Sequence, residues 1–162
     1  MCNFKSALLL KDRVFVPDYD SHDLMLKELG IPDDYLHASK TFVRVELSPA
    51  DGDPASDPMG WRIRIDQDIL PDWFVHEVDE QRVKVAIAEW CKVHVLREGM
   101  HEVRYGVWIA YGSATVKAYD SATVILPKMW QTTKAVLLHD EAICINRRDH
   151  TIRSAIKWQQ EE

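Results

Sequence analysis

At 162 residues, 46% apolar and 28% charged, the chain has the make-up of a soluble globular protein, one domain or one domain with an appendage, long enough to bury a core. No run approaches the roughly 18 apolar residues of a membrane span, because Ala7-Leu8-Leu9-Leu10 is closed by Lys11-Asp12-Arg13, and the opening residues do not read as a secretory leader; the expected location is the cytoplasm. The net charge of −6 counts against nucleic-acid binding, which needs basic residues to displace phosphate counterions, and suits docking on a basic protein surface.

Phe4 to Leu10 and Val14-Phe15-Val16 read as two strands joined by the polar turn Lys11-Asp12-Arg13. Ser21 is a good N-cap for a helix over 22–30, with Leu24, Met25, Leu26 and Leu29 as its apolar face and Gly30 as its stop. Ile31-Pro32-Asp33-Asp34-Tyr35 predicts a further short cap or turn. Phe42 to Leu47 alternates with period two, as does Trp61 to Asp66 beyond a loop dense in Pro, Asp, Gly and Ser, so a hairpin across that loop is expected. A main helix is predicted from Leu70-Pro71-Asp72-Trp73 to about Val95. Its inner face would carry Trp73, Phe74, Val78, Val83, Ile87, Trp90 and His94, with Asp79, Glu80, Lys84 and Glu89 largely outward.

From Val103 the texture changes to small and β-branched residues. Tyr111-Gly112-Ser113-Ala114-Thr115-Val116-Lys117-Ala118 is followed at once by Tyr119-Asp120-Ser121-Ala122-Thr123-Val124-Ile125-Leu126, a near duplicate. Faded copies follow in Thr132 to Leu137 and in His139 to Ile145, then a turn at Asn146–His150 and a last strand from Thr151 to Ile156. Each unit reads as a turn plus a strand, with Ala inward and Val stacking on the Val of the neighbouring unit. Such units make a core only by stacking, and the open ends of a stack need a cap or a second subunit. The expected fold is α+β: a small antiparallel sheet packed by one long helix over 1–100, then a short repetitive β module over 101–162, solenoid-like or a meander.

The opening Met1 to Ala7, the Ser21-His22-Asp23-Leu24 helix start, the Phe42 to Leu47 strand and the Ser-Ala-Thr-Val units together resemble a group of largely uncharacterised phage and gut-bacterial proteins. In those a small α+β region precedes a run of short repeats. The resemblance spans nearly the whole chain and brings no transferable chemistry; this chain departs from it in having only two clean repeats. It implies a phage or mobile-element setting and an accessory role, an inhibitor of a host defence system being one version.

Candidate sites are few. Cys2 would become an N-terminal nucleophile, with its own amine as base, were Met1 removed; the favoured reading is a buried strand-end thiol. Asp18, Asp20, His22 and Asp23 precede a helix, where His22 could act as acid or base, although helix capping uses the same residue types. Arg44, Arg62 and Arg64 would form an anion-binding patch if they share a face, with pairing to Glu46 and Asp66 as the other explanation. Trp108 and Trp130, with Trp158, would cap the repeats or mark an interface. Cys2, Cys91 and Cys144 are odd in number and widely spaced, which favours reduced thiols over a disulfide or zinc framework. The expectation is a non-enzymatic binding protein with a protein partner, self-associating through its β module, without metal or cofactor. The alternative is a small enzyme or nucleotide-binding protein using Cys2 or His22.

Overall fold

The computed structural model describes residues 5–50, 52, 56–127 and 135–155. It is mixed α+β, with three sheets and one long helix, and divides into two compact units, Met1–Lys92 and Val93–Glu162.

In the first unit, β1 (Lys5–Leu10), β2 (Val14–Phe15), β3 (Phe42–Ser48) and β4 (Arg62–Ile65) form an antiparallel sheet in the order β2-β1-β3-β4. The hairpin across the Pro-rich loop is present, with Val45 opposite Ile65 and Leu47 opposite Ile63. All six residues of β1 are buried, because elements lie against both of its faces. On one face Leu8, Leu10 and Phe42 pack with Met25 and Leu26 of α1 (His22–Glu28). That helix starts at Ser21, whose side chain accepts from the Leu24 amide. It ends where Gly30, at φ +65°, lets its own N–H reach the Lys27 carbonyl while Ile31 bonds Leu26. The Ile31–Tyr35 stretch leads into a one-turn helix, α2 (Tyr35–Ala38), capped by Asp34.

The long helix α3 runs from His76 to His94 and differs from expectation at its start. Trp73 and Phe74 lie in a turn, Phe74 bonding back to Pro71 and Trp73 Nε1 donating to the Lys40 carbonyl. Within the helix, Val78 is exposed and Asp79 is buried, the reverse of the hydropathy reading. The stripe Asp79, Val83, Ile87, Trp90 and Cys91 has the spacing of a single helical face, and Asp79 sits at its N-terminal end. There its carboxylate accepts from the Val75 amide at 2.7 Å and from Arg82 Nη1 at 2.7 Å, while Arg82 Nη2 reaches the Leu10 carbonyl at 3.1 Å. An acid on the apolar face is tolerated because the first turn of a helix supplies unpaired N–H groups for it.

The second unit holds β5 (Val95–Leu96), β6 (Met100–Val103), β7 (Val107–Ala110), β8 (Thr115–Ala118), β9 (Thr123–Leu126), β10 (Ala135–Leu138), β11 (Ile143–Asn146) and β12 (Thr151–Ser154). One sheet runs β10-β8-β6 and the other β12-β11-β9-β7-β5. Every pair is parallel except β11–β12, so the pairing is not that of a meander. From β5 to β11 the chain changes sheet at each turn. The two Ser-Ala-Thr-Val units therefore do not pair with each other. Val116 lies between His101 and Val136 in one sheet, Val124 between Trp108 and Cys144 in the other, and all but His101 join one apolar cluster with Ala114, Ala118, Ala122 and Ala142.

The turns explain the repeated letters. Gly112, Asp120 and Asp140 occupy equivalent second positions with φ of 61°, 50° and 53°. In each turn the following alanine amide bonds back to the Tyr111, Tyr119 or His139 carbonyl. Asp enters the left-handed region at lower cost than most residues. Gly112 is required for a second reason: a Cβ there would lie 2.7 Å from the Arg97 carbonyl oxygen. Ala114, Ala122 and Ala142 are fully buried in the same apolar cluster, whose close packing leaves no room for a larger side chain.

Candidate functional site

The acidic run before α1 is dispersed by the fold. Asp20 turns to β1, accepting from Lys5 Nζ at 2.8 Å and from the Ser6 amide at 3.1 Å. His22 instead sets Nε2 3.2 Å from the Val45 carbonyl oxygen and Nδ1 3.9 Å from Asp66 Oδ2. The Nε2 of His22 is thus held by β3, with Asp66 just beyond β4 at longer range from Nδ1, and no group of three or more His, Cys, Asp or Glu is placed to hold a metal ion among the described residues. Cys2 lies outside the described residues, while Cys91 and Cys144 are buried.

Register places Arg44, Arg62 and Arg64 on one face of the first sheet, with Glu46 among them. Arg44 pairs with Asp33 and lies over the Phe42 ring at 5.2 Å. Arg64 stands 3.7 Å from Glu46 and 3.4 Å from Asp66. The shared face is real, and carboxylates already occupy the position an anion would take beside Arg44 and Arg64. Arg62, opposite Ser48, is exposed.

One polar residue escaped the sequence reading altogether. Lys5 is 2% exposed, with Nζ bonded to Asp20 and to the Tyr19 carbonyl at 3.0 Å, and 4.9 Å from the centroid of the Trp90 ring. Burial lowers its proton affinity and the Asp20 charge partly restores it. The period-two rule already put Lys5 in line with Ala7 and Leu9, which was the available signal.

The second unit carries a ladder of stacked turn residues. The Arg104 guanidinium lies 5.0 Å from the Tyr119 ring centroid, and Tyr119 stacks on His139 at 4.6 Å and 11°. Beside them Arg104 donates to Asp120 at 3.2 Å and the Asp120 amide donates to Asp140 at 3.3 Å. Tyr105, Asp120, Ser121, Asp140 and Glu141 line a notch of about 380 Å³ along this edge. Trp108 is half-buried, with Nε1 donating to the Tyr105 carbonyl at 2.7 Å and its ring 5.1 Å from His94. Trp130 and Trp158 lie outside the described residues. At the far side of the five-stranded sheet, β12 is exposed at all four residues and pairs only with β11 among the described residues; Ile152 is 69% exposed.

No helix among the described residues is long and apolar enough to cross a membrane. Compared with family models, curated proteins and solved structures, the chain matches none.

Proposed function

We propose that this is a non-enzymatic binding protein that self-associates through its second unit, a short parallel solenoid with two strand-bearing sides. The solenoid reading is supported by strands that alternate between two sheets and pair in parallel, through one shared core. Self-association rests on one observation above the others. Among the described residues β12 is an outermost strand, exposed at every position and carrying Ile152, with only Arg153 in the strand as a charged guard. Antiparallel pairing of β12 with β12 of a second copy would join two five-stranded sheets by an isologous contact.

The contact of His22 Nε2 with the Val45 carbonyl supports a structural part for this residue and a non-enzymatic role for the protein. The phage or mobile-element setting, a cytoplasmic location and inhibition of a host defence system as the concrete activity rest on the resemblance of the opening residues and the repeat units.

Light scattering over a concentration series tests the assembly. The expected result is a dimer whose fraction rises with concentration and that Ile152→Lys, a change at an exposed site, converts to monomer. A wild-type monomer at every concentration refutes the proposal.

A further inference from the structure

A groove of about 620 Å³ opens in the first unit between the β1–β2 turn and the outward face of α3. Its apolar floor is Val78 and Val85, 59% and 51% exposed, with Ala86 beside them. Asp12, Arg13 and Glu77 stand around it, and none of the three makes an ion pair among the described residues. The fourth charge on its wall, Arg82, is already met by Asp79 at 2.7 Å. We propose that this groove takes an amphipathic, net-basic helix of a partner protein. The inference concerns a surface separate from β12 and stands whether or not the chain self-associates.

Two arguments select that occupant. The seven-residue step from Val78 to Val85 is two helical turns, about 10 Å, which matches apolar side chains at i, i+3 and i+7 of an incoming helix. A strand, repeating every ~7 Å on one side, has no such match. Charge selects the sign: of the three unpaired groups two are acidic, and the chain as a whole carries −6, so a basic helix is steered in and meets Asp12 and Glu77.

The probes are two synthetic peptides of about 15 residues with the same leucine heptad, one with lysine and one with glutamate on the polar face. Each is titrated into the full-length protein at physiological salt and followed by backbone amide shifts and by fluorescence anisotropy. The lysine peptide is expected to shift the Val78, Gln81 and Val85 amides and to bind at least about tenfold tighter than the glutamate peptide. The charge-neutral pair Val78→Ser/Val85→Ser, at exposed positions, should weaken it about tenfold. Asp12→Asn/Glu77→Gln should erase the preference between peptides. Equal binding of both peptides, shifts confined to other surfaces, or affinity unchanged by the serine pair would overturn the proposal. So would a dimer that the serine pair dissolves, which would assign the groove to a second copy.

Discussion

Replacing Asp20 by alanine leaves the Lys5 ammonium in place without its carboxylate. At 2% exposure Lys5 cannot turn to water, and what remains to it is the Tyr19 carbonyl at 3.0 Å, the Trp90 ring face at 4.9 Å and the more distant charge of Asp18. Stranding one charge of a buried pair costs about 3–5 kcal/mol. Because the Asp20 side chain is 36% exposed, water reaches that side of the pair, and about 3 kcal/mol is expected. Lys5→Met removes the charge while keeping length and volume, and Asp20 retains the Ser6 amide; the expected cost is within about 1 kcal/mol of zero. The double substitution should then resemble Lys5→Met, a coupling of at least about 2 kcal/mol in a double-mutant cycle. Urea unfolding followed by tryptophan fluorescence, which reports Trp90 beside the pair, measures all four proteins. The pH dependence is a second readout. Burial lowers the lysine's folded-state proton affinity, so its penalty is full at neutral pH and is relieved as pH rises through the window below the ordinary lysine value. Lys5→Met should lose that trend. A Lys5→Met as costly as Asp20→Ala, with additive effects in the double, would refute the view that the pair is held against the desolvation of Lys5.

Three other outcomes follow from single residues. The Tyr19 phenol is pushed up to about 12 by burial and by its hydrogen bond to Glu28, so its stabilisation is intact below the ordinary tyrosine value and lost as pH rises through about 12; absorbance titration should show one late phenol that Tyr19→Phe removes, and all tyrosines ionising together would contradict it. Burial pushes the Cys144 thiol up despite Arg153 3.7 Å from its Sγ, so with Cys2 and Cys91 changed to serine a thiol reagent should react at mild alkaline pH only on unfolding, and prompt labelling of the native protein would count against the packing described. Gly112→Ala meets both φ +61° and a contact of 2.7 Å and should cost about 2 kcal/mol or more, whereas Asp120→Gly at the equivalent turn should be within about 1 kcal/mol of neutral; comparable melting temperatures for the two variants would remove the steric argument.

Local signals were legible where the answer depends only on neighbours in the chain. Ser21 and Gly30 bracket α1 because capping is settled within a few residues, and period-two alternation located β3 and β4. The face of α3 was harder: Val78 and Asp79 are adjacent, and choosing between them needs the phase of the buried stripe, which Val83, Ile87 and Trp90 set in the fold. In the second unit the duplicate marked two equivalent strands and said nothing of their partners. Adjacent copies suggested stacking on each other, yet the turn at Tyr119-Asp120 carries the chain to the opposite sheet, and pairing falls to strands 15 to 20 residues away. The arginine face was legible as a face, since Arg44, Arg62 and Arg64 share strand parity; that Asp33 would reach Arg44 required the loop geometry. Lys5 was missed because a charged residue at a strand end reads as solvent-facing unless its partner is known.

The register of the parallel unit has one more consequence. Met100 and Ala135 both sit opposite Thr115, and Val107 and Ile143 both sit opposite Thr123. A chain lacking Tyr111 to Leu126 would bring Met100 beside Ala135 and Val107 beside Ile143 with every strand still in phase. If the unit is the solenoid proposed above, its number of layers becomes an adjustable dimension, a ruler that can be cut or extended by one segment while both of its ends keep their own surfaces.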